Sequence, residues 1–494
     1  MKKVLVANRG EIAVRVIRAC RELGIASVAV YSDADRTAPH VLAADEAYRV
    51  GAAPSAESYL RADALVEIAL NSGCDAVHPG YGFLAERAFF AQAVTDAGLI
   101  FVGPPASAIA AMGDKTEARR RMLDAGVPVV PGTSTASPDA GAALAAAREI
   151  GFPVLLKAAA GGGGKGMRVV ESADSLQRAF EAASSEAKAA FGDGSVYVEK
   201  YLGRPRHVEI QILADGHGNV LSLGERECSV QRRHQKMIEE APSPVVTSGL
   251  RSRMGEAAAA AARAVGYVNA GTIEFLLEDD EFHFLEMNTR IQVEHPVTEL
   301  VTGIDLVQWQ LRIAAGESLP WDQEGMRIDG HAFECRITAE DPYHGFMPAT
   351  GRIEHLEIPS GPGVRWDGAL RAGQDIPTHY DPLLAKLIVH GKDRPAALAR
   401  MRRALGELRI AGVDTTVPFH RAVFDEADFI AGNIDIRYVE RHAGLLTATS
   451  EEGPDMVVAV AAALLEDNAR AHRTVRRAGT FTRTDGWRQR GWRD

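Results

Sequence analysis

The stretch TIEFLLEDDEFHFLEMNTRIQVEH, residues 272–295, decides how the rest of the chain is read. Two apolar-rich runs, TIEFLLE (272–278) and FHFLEMN (282–288), flank an acidic turn at Asp279–Glu281. Side chains of an extended chain alternate between two faces, so the pattern predicts an antiparallel hairpin. A three-residue loop sets position 278 opposite 282 and 274 opposite 286. Glu274 and Glu286 then become cross-strand neighbours, with Cβ atoms about 5 Å apart. Two carboxylates that close repel unless a positive charge lies between them. A Mg²⁺ or Mn²⁺ ion bridging nucleotide phosphates is the economical solution, and Asn288 adds a neutral oxygen.

The alternation continues beyond the hairpin. Glu286, Asn288, Arg290, Gln292 and Glu294 interleave with Met287, Thr289, Ile291 and Val293, which predicts one long strand with a polar face. A strand facing water shows the same alternation without any chemistry, so the pattern leaves both readings open. Fully extended, residues 286 and 294 lie roughly 26 Å apart at about 3.3 Å per residue, and one ion cannot use the whole row. The near end suits a metal. Arg290, Gln292 and Glu294 suit another ligand, such as a small oxyanion.

Three further stretches upstream carry groups suited to a polyanion. LLKAAAGGGGKGMRVV (155–170) joins two apolar runs through four glycines, whose backbone N–H groups can converge on a phosphate. Lys157 and Lys165 flank that loop, and no Ser or Thr follows the lysine as a Walker A loop requires. In SVYVEKYL (195–202), Glu199 and the backbone of Lys200, Tyr201 and Leu202 lie where a strand passes into a loop, a place that can read an adenine edge. In QRRHQKMIEEAP (231–242), His234 and Lys236 share a face if the chain is extended; a solvated charge run fits equally well.

The first hundred residues predict strands at 4–7, 27–32, 75–79 and 99–104 with helical patterns between them, hence a parallel sheet. An acid after the second strand invites a dinucleotide reading, yet NRGEIA lacks the GxGxxG fingerprint, which excludes a nicotinamide site. At 494 residues the chain is long enough for about three domains. Net charge −11 argues against non-specific nucleic-acid binding. Cys20, Cys74, Cys228 and Cys335 are scattered without a CxxC pair and read as reduced thiols. The apolar run after Lys2–Lys3 stops at Asn8, too soon for a signal peptide, and no run approaches a membrane span. A soluble, cytoplasmic protein is expected.

In order along the chain, KAAAGGGGKGMR, EKYL, RHVEIQIL, QRRHQK, EMNTRIQVEHPVTE and ECRI resemble biotin carboxylase, an ATP-grasp enzyme. NRGEIAVRVIRA and HPGYGFLAE agree, so the resemblance spans about residues 1–446. It implies a three-domain α/β and α+β fold: a Rossmann-like domain (1–113), an ATP-grasp domain (114–330) with a glycine-rich lid at about 131–203, and a C-terminal domain (331–446). Residues 447–494 then form a linker, a helix and a tail containing Trp487, Trp492 and eight arginines from Arg470 onward. That tail is expected to dock a partner or to fray.

By the same resemblance, Lys115, Lys157, Gly163, Gly164, Glu199 to Leu202, His207, Gln231 and His234 hold ATP, with Lys236 neutralising the phosphate in transfer. Glu274, Glu286 and Asn288 hold two Mg²⁺ or Mn²⁺ ions. Arg290, Gln292 and the Val293 backbone bind bicarbonate, Glu294 is the general base, and Arg336 stabilises the biotin enolate. Biotin arrives on a separate biotin carboxyl carrier protein, since no AMKM-like motif occurs here, and a carboxyltransferase partner completes an acetyl- or propionyl-CoA carboxylase. A homodimer is expected. The rivals are a pyruvate or other keto-acid carboxylase, another ATP-grasp carboxylate–amine ligase, and a silent ATP-binding regulatory module.

Overall fold

Short apolar strands separated by helices cannot close hairpins and must pair in parallel. β1 (Lys3–Val6), α1 (Gly10–Glu22), β2 (Ala26–Ser32), β3 (Glu46–Gly51), β4 (Ala76–His78) and β5 (Ile100–Phe101) do so, in the order β3-β2-β1-β4-β5. Ligands of such sheets enter where the strand order reverses, here beside the ends of β1 and β4. There the segments after β1 and β4 are tied together by side chains. Asn8 Nδ2 donates to Pro79 O at 2.8 Å and to Tyr81 O at 2.7 Å. Asp35, the acid after the second strand, is clamped by Arg9 through Nε and Nη2 at 2.5 and 2.7 Å.

The computed structural model describes residues 1–133, 135–158, 167–191, 194–446 and 465–466. Residues 1–446 form one unit and 447–494 another; of the latter, Leu465 and Glu466 are described and are helical. The rest of the expected linker, helix and tail, and the glycine run with Gly163 and Gly164, lie outside the described residues. β6 (Val154–Ala158), β7 (Met167–Val170) and β8 (Val196–Lys200) make a small antiparallel sheet in the order β7-β6-β8. Apolar residues of α2 (Ala140–Ile150) and α3 (Ala173–Phe191) cover it with a core of their own.

Eight antiparallel strands form the main sheet: β9 (Arg206–Ala214), β10 (Val220–Arg232), β11 (Gln235–Ala241), β12 (Asn269–Glu278), β13 (Glu281–Asn288), β14 (His331–Thr338), β15 (Val364–Gly368) and β16 (Leu383–Gly391). Their order is β13-β12-β9-β10-β11-β14-β16-β15, so the pairing of β11 with β14 carries one sheet from the second region into the third. Val208, Ile210, Ile212, Ile273 and Phe275 point from one face into a core shared with α4 (Ser248–Ala264). The opposite face carries His207, Glu209 and Gln211 instead, all buried. No helix among the described residues is long and apolar enough to cross a membrane.

The β12–β13 hairpin differs from the sequence reading in its turn. Glu278 pairs with Glu281 across two residues, Asp279 and Asp280, with Asp279 at φ 54°. A bulge at Leu285 then adds one residue to β13, and Glu274 opposes Glu286 after all. The strand also ends sooner than expected. It stops at Asn288, and the chain turns into α5 (His295–Thr302), where Glu294 occupies the N-cap and Pro296 the first turn. Proline lacks the N–H a strand ladder needs and is suited to a helix start, so the alternation after Asn288 belongs to a loop.

Candidate active site

Across four adjacent strands the register lines up charges instead of apolar groups. Arg226 in β10 opposes Glu209 in β9, Glu209 opposes Glu274 in β12, and Glu274 opposes Glu286 in β13. Like charges set opposite one another destabilise a sheet. Lys236, the second residue of β11, relieves the repulsion: its Nζ donates to Glu209 Oε2 at 2.5 Å, Glu274 Oε1 at 2.7 Å and Glu294 Oε1 at 2.6 Å. Burial pushes the Lys236 ammonium down, but Glu209, Glu274 and Glu294 outweigh it and hold it well above its usual range. Burial likewise pushes Glu274 up, and Lys236 with His207 holds it well below the carboxylate range. His207 Nε2 lies 2.9 Å from Glu274 Oε2, a charge contact without hydrogen-bond geometry.

Beneath the row lies Arg226, with a side chain wholly out of solvent. It donates to Glu209 at 2.5 Å, Gln211 at 2.6 Å, Gln292 at 2.7 Å, and Thr272 and Thr298 at 3.0 Å. One planar fork thus fixes groups from β9, β12, α5 and the loop before it. Gln292 in turn donates Nε2 to Glu274 Oε1 at 2.9 Å, so its amide orientation is set at both ends. Lys386 in β16 pins the loop from the far side by donating to Val293 O at 2.8 Å.

Two arginines complete the loop's surroundings. Arg290 donates Nε to Glu86 at 2.9 Å and Nη2 to Asn288 Oδ1 at 2.8 Å. Arg336 in β14 donates Nε to Glu239 Oε1 at 2.6 Å and Nη2 to Glu294 Oε2 at 2.9 Å. Neither Glu340 nor Asp341, the surface partners considered from sequence, takes it: Glu340 accepts from Thr338 and Asp341 from His344. Glu294 therefore has a cation on each oxygen. Burial raises it, and Lys236, Arg336 and Arg226 together hold it well below the usual carboxylate range.

His207, Lys236, Glu274, Glu286, Asn288, Arg290, Gln292, Glu294 and Arg336 line one cavity of about 1240 Å³, while Arg226, Glu209, Glu239 and Lys386 support it from outside that lining. Family models match in three consecutive pieces: "Biotin carboxylase, N-terminal domain" over residues 1–109, "Carbamoyl-phosphate synthase L chain, ATP binding domain" over 114–321, and "Biotin carboxylase C-terminal domain" over 334–441. The biotin carboxylase of Haemophilus influenzae is 52% identical over 446 residues, 90% of this chain and 99% of that one. The chain belongs to the biotin carboxylase family of ATP-dependent ligases. A pyruvate carboxylase subunit from Methanothermobacter thermautotrophicus is 53% identical over 440 residues, 89% of this chain and 90% of that one. Among solved structures, the biotin carboxylase domain of Hydrogenobacter thermophilus 2-oxoglutarate carboxylase superposes with a TM-score of 0.83 at 49% identity, covering 91% of this chain and 99% of that one. That structure is a dimer with MgADP, ADP and bicarbonate.

Of the residues singled out from sequence, Lys157, Glu199, Lys200, Tyr201 and Leu202 line the cavity, and Lys157 Nζ lies 3.4 Å from Glu199 Oε2. His207, Gln231, His234, Lys236, Glu274, Glu286, Asn288, Arg290, Gln292, Val293, Glu294 and Arg336 line it as well. Lys115 opens a helix capped by Asp114, and its side chain is not described. His234 does not share a strand face with Lys236. It sits with Arg233 in a two-residue turn, both at positive φ, and lines the cavity from there. Sequence reasoning missed Arg226, Glu209, Lys386 and Glu86. Only the polar alternation His207–Glu209–Gln211 in RHVEIQIL offered a signal for any of them.

Glu274, Glu286 and Asn288 present oxygens from neighbouring register positions on β12 and β13, a hard donor set that fits Mg²⁺ or Mn²⁺. His207, Glu209 and Glu274 also approach one another closely, but the Lys236 ammonium already supplies the positive charge there. Beside Glu209 and Glu294, the Cys228 thiol is pushed well above its usual range by burial and stays neutral.

Proposed function

We propose that this chain carboxylates biotin at N1′, using ATP and bicarbonate through carboxyphosphate, on a separate biotin carboxyl carrier protein. The observation that carries this reading is Glu294, held between Lys236 and Arg336 in the same cavity as Glu274 and Glu286. Domains at 1–113, 114–330 and 331–446 are proposed with it, as are a homodimer and a cytoplasmic setting.

ATP lies with its phosphates toward His207, His234 and Lys236 and its adenine toward Glu199 to Leu202. The amides of Lys200 and Tyr201 are taken by Pro131 O and Pro153 O, whereas Leu202 N–H makes no hydrogen bond among the described residues and is the donor for the base. Gln231 and Lys157 line the same cavity, and Lys115, Gly163 and Gly164 are proposed as nucleotide-binding residues on the family resemblance. Glu274, Glu286 and Asn288 hold the divalent ions, which when bound draw charge off the γ-phosphate.

Bicarbonate binds between Arg290, Gln292 and the Val293 amide. Arg226 and Lys386 hold Gln292 and the Val293 carbonyl in place beforehand, so little reorganisation remains at the moment of reaction. A carboxylate paired with two cations is a weak base. Entry of two anions changes that: the γ-phosphate draws Lys236, bicarbonate draws the guanidinium groups, and Glu294 regains proton affinity as the substrates assemble. Glu294 then removes the bicarbonate proton, and the dianion attacks the γ-phosphorus with ADP leaving. Carboxyphosphate releases CO₂, the freed phosphate takes the N1′ proton, Arg336 stabilises the biotin enolate, and N1′ attacks CO₂ to form the N–C bond of carboxybiotin.

For the parent assembly we propose an acetyl- or propionyl-CoA carboxylase. A keto-acid carboxylase is the second reading, favoured by the likeness to components of a pyruvate carboxylase and of a 2-oxoglutarate carboxylase. The function is tested by bicarbonate-dependent ADP release with and without free biotin. Strong stimulation by biotin is expected; turnover that needs an amino acid or amine instead assigns the chain to another ATP-grasp ligase.

A further inference from the structure

Glu239 in β11 and Glu334 in β14 stand directly opposite each other in the sheet, and no step above uses either as a reactant. Both are 0% exposed. Cross-strand neighbours of this kind have Cβ atoms about 5 Å apart, which brings two carboxyl groups within reach of one hydrogen bond. Glu239 Oε1 accepts from Arg336 Nε at 2.6 Å. Glu239 Oε2 and both oxygens of Glu334 have no hydrogen-bond partner among the described residues.

The cations around the pair are too few to neutralise it. Arg336, two residues along β14, divides its guanidinium between Glu239 and Glu294. Lys386 opposes Arg336 from β16 but lies 3.2 Å from Glu11 and donates to Val293 O. Glu11 reaches in from α1 and also accepts from the Tyr81 hydroxyl. From α5, His295 is held well below its usual range by burial and by Lys386, and so adds no charge. Glu299 of the same helix is bound by Arg15 and Arg365, and Asp367 of β15 by Arg365. Full ionisation would set Glu11, Glu239 and Glu334 against Lys386 and the part of Arg336 that Glu294 leaves, with four carboxylate oxygens, Glu11 Oε2 among them, lacking a hydrogen-bond partner among the described residues. Buried carboxyls in that position keep a proton. Burial raises Glu334 well above the carboxylate range, more than Lys386 lowers it, and Glu239 is pushed up to about 7 by burial.

We propose that Glu239 and Glu334 share one proton, forming an acid–carboxylate pair that positions Arg336 for the biotin half of the reaction. With the proton on Glu334, its O–H donates to Glu239, whose plane then fixes the Arg336 Nε arm while Nη2 stays on the cleft side. Loss of the proton places a second negative charge beside Arg336 and draws the guanidinium back from the cleft. These are positioning residues, and the inference rests on the reading that Arg336 acts on biotin.

Two measurements on the full-length chain test it. Infrared difference spectra of the wild type against Glu334→Gln are expected to show a buried protonated carboxyl at neutral pH that vanishes as pH is raised. This readout needs no turnover, so it stands even if biotin fails to stimulate ADP release, and it needs only the wild-type titration if the variant misfolds. Biotin-stimulated ADP release is expected to decline on the alkaline side in the wild type, with Glu334→Gln removing that decline. Glu239→Gln is expected to lower kcat by about 10- to 100-fold with the KM for ATP little changed, the loss of one charge-assisted bond on Arg336. A wild type without a protonated buried carboxyl overturns the proposal, as does an alkaline decline identical in Glu334→Gln.

Discussion

Replacing Glu294 with glutamine is expected to lower biotin-dependent ADP release by about 10²- to 10⁴-fold, the range a general base contributes. The substitution preserves shape and leaves no cation stranded. Lys236 keeps Glu209 and Glu274, and Arg336 keeps Glu239. Folding and nucleotide affinity are therefore expected to stay close to wild type, measured by thermal unfolding and by titration with ADP. The loss should appear in kcat more than in the KM for ATP, because the proton transfer occurs only on the way to the transition state. Activity within a few-fold of wild type would remove Glu294 from the chemistry.

Arg226→Met is expected to act on the scaffold as well as the site. Removing one partner of a buried charge network costs about 3–5 kcal/mol, and here five groups lose a donor in a region without solvent access. Glu209 keeps only Lys236, and Gln292 loses the contact that sets its amide. The variant should unfold at lower temperature and, where folded, need more bicarbonate for half-maximal rate. Arg226→Lys should recover little, because an ammonium cannot reproduce a planar fork with five donors. Unchanged stability in Arg226→Met would show that the buried network serves neither folding nor the site.

The sequence carried some of this plainly and some not at all. The facing of Glu274 and Glu286 was legible because hairpin pairing depends on residue count and alternation. Its turn was not, since a two-residue turn with a bulge and a three-residue loop give the same pairing at Glu274. The residues after Asn288 were read as strand because loop residues chosen for a ligand can alternate too; Pro296 was the signal that a helix followed. Arg226 lies in ERECSV, a string that looks like surface charge, and its burial follows from two other strands, a helix and a loop meeting over it. Glu86 and Lys386 act on the site from 204 and 93 residues away, distances at which no local pattern speaks.

The central claim is that one loop sets a carboxylate base beside a nucleotide site so that dissolved bicarbonate becomes a nucleophile. It is tested most directly by supplying labelled bicarbonate, ATP and free biotin and following the label. The account predicts labelled carboxybiotin in step with ADP, both lost in Glu294→Gln. ADP formed without label in biotin, or label transferred at an undiminished rate by Glu294→Gln, would contradict it.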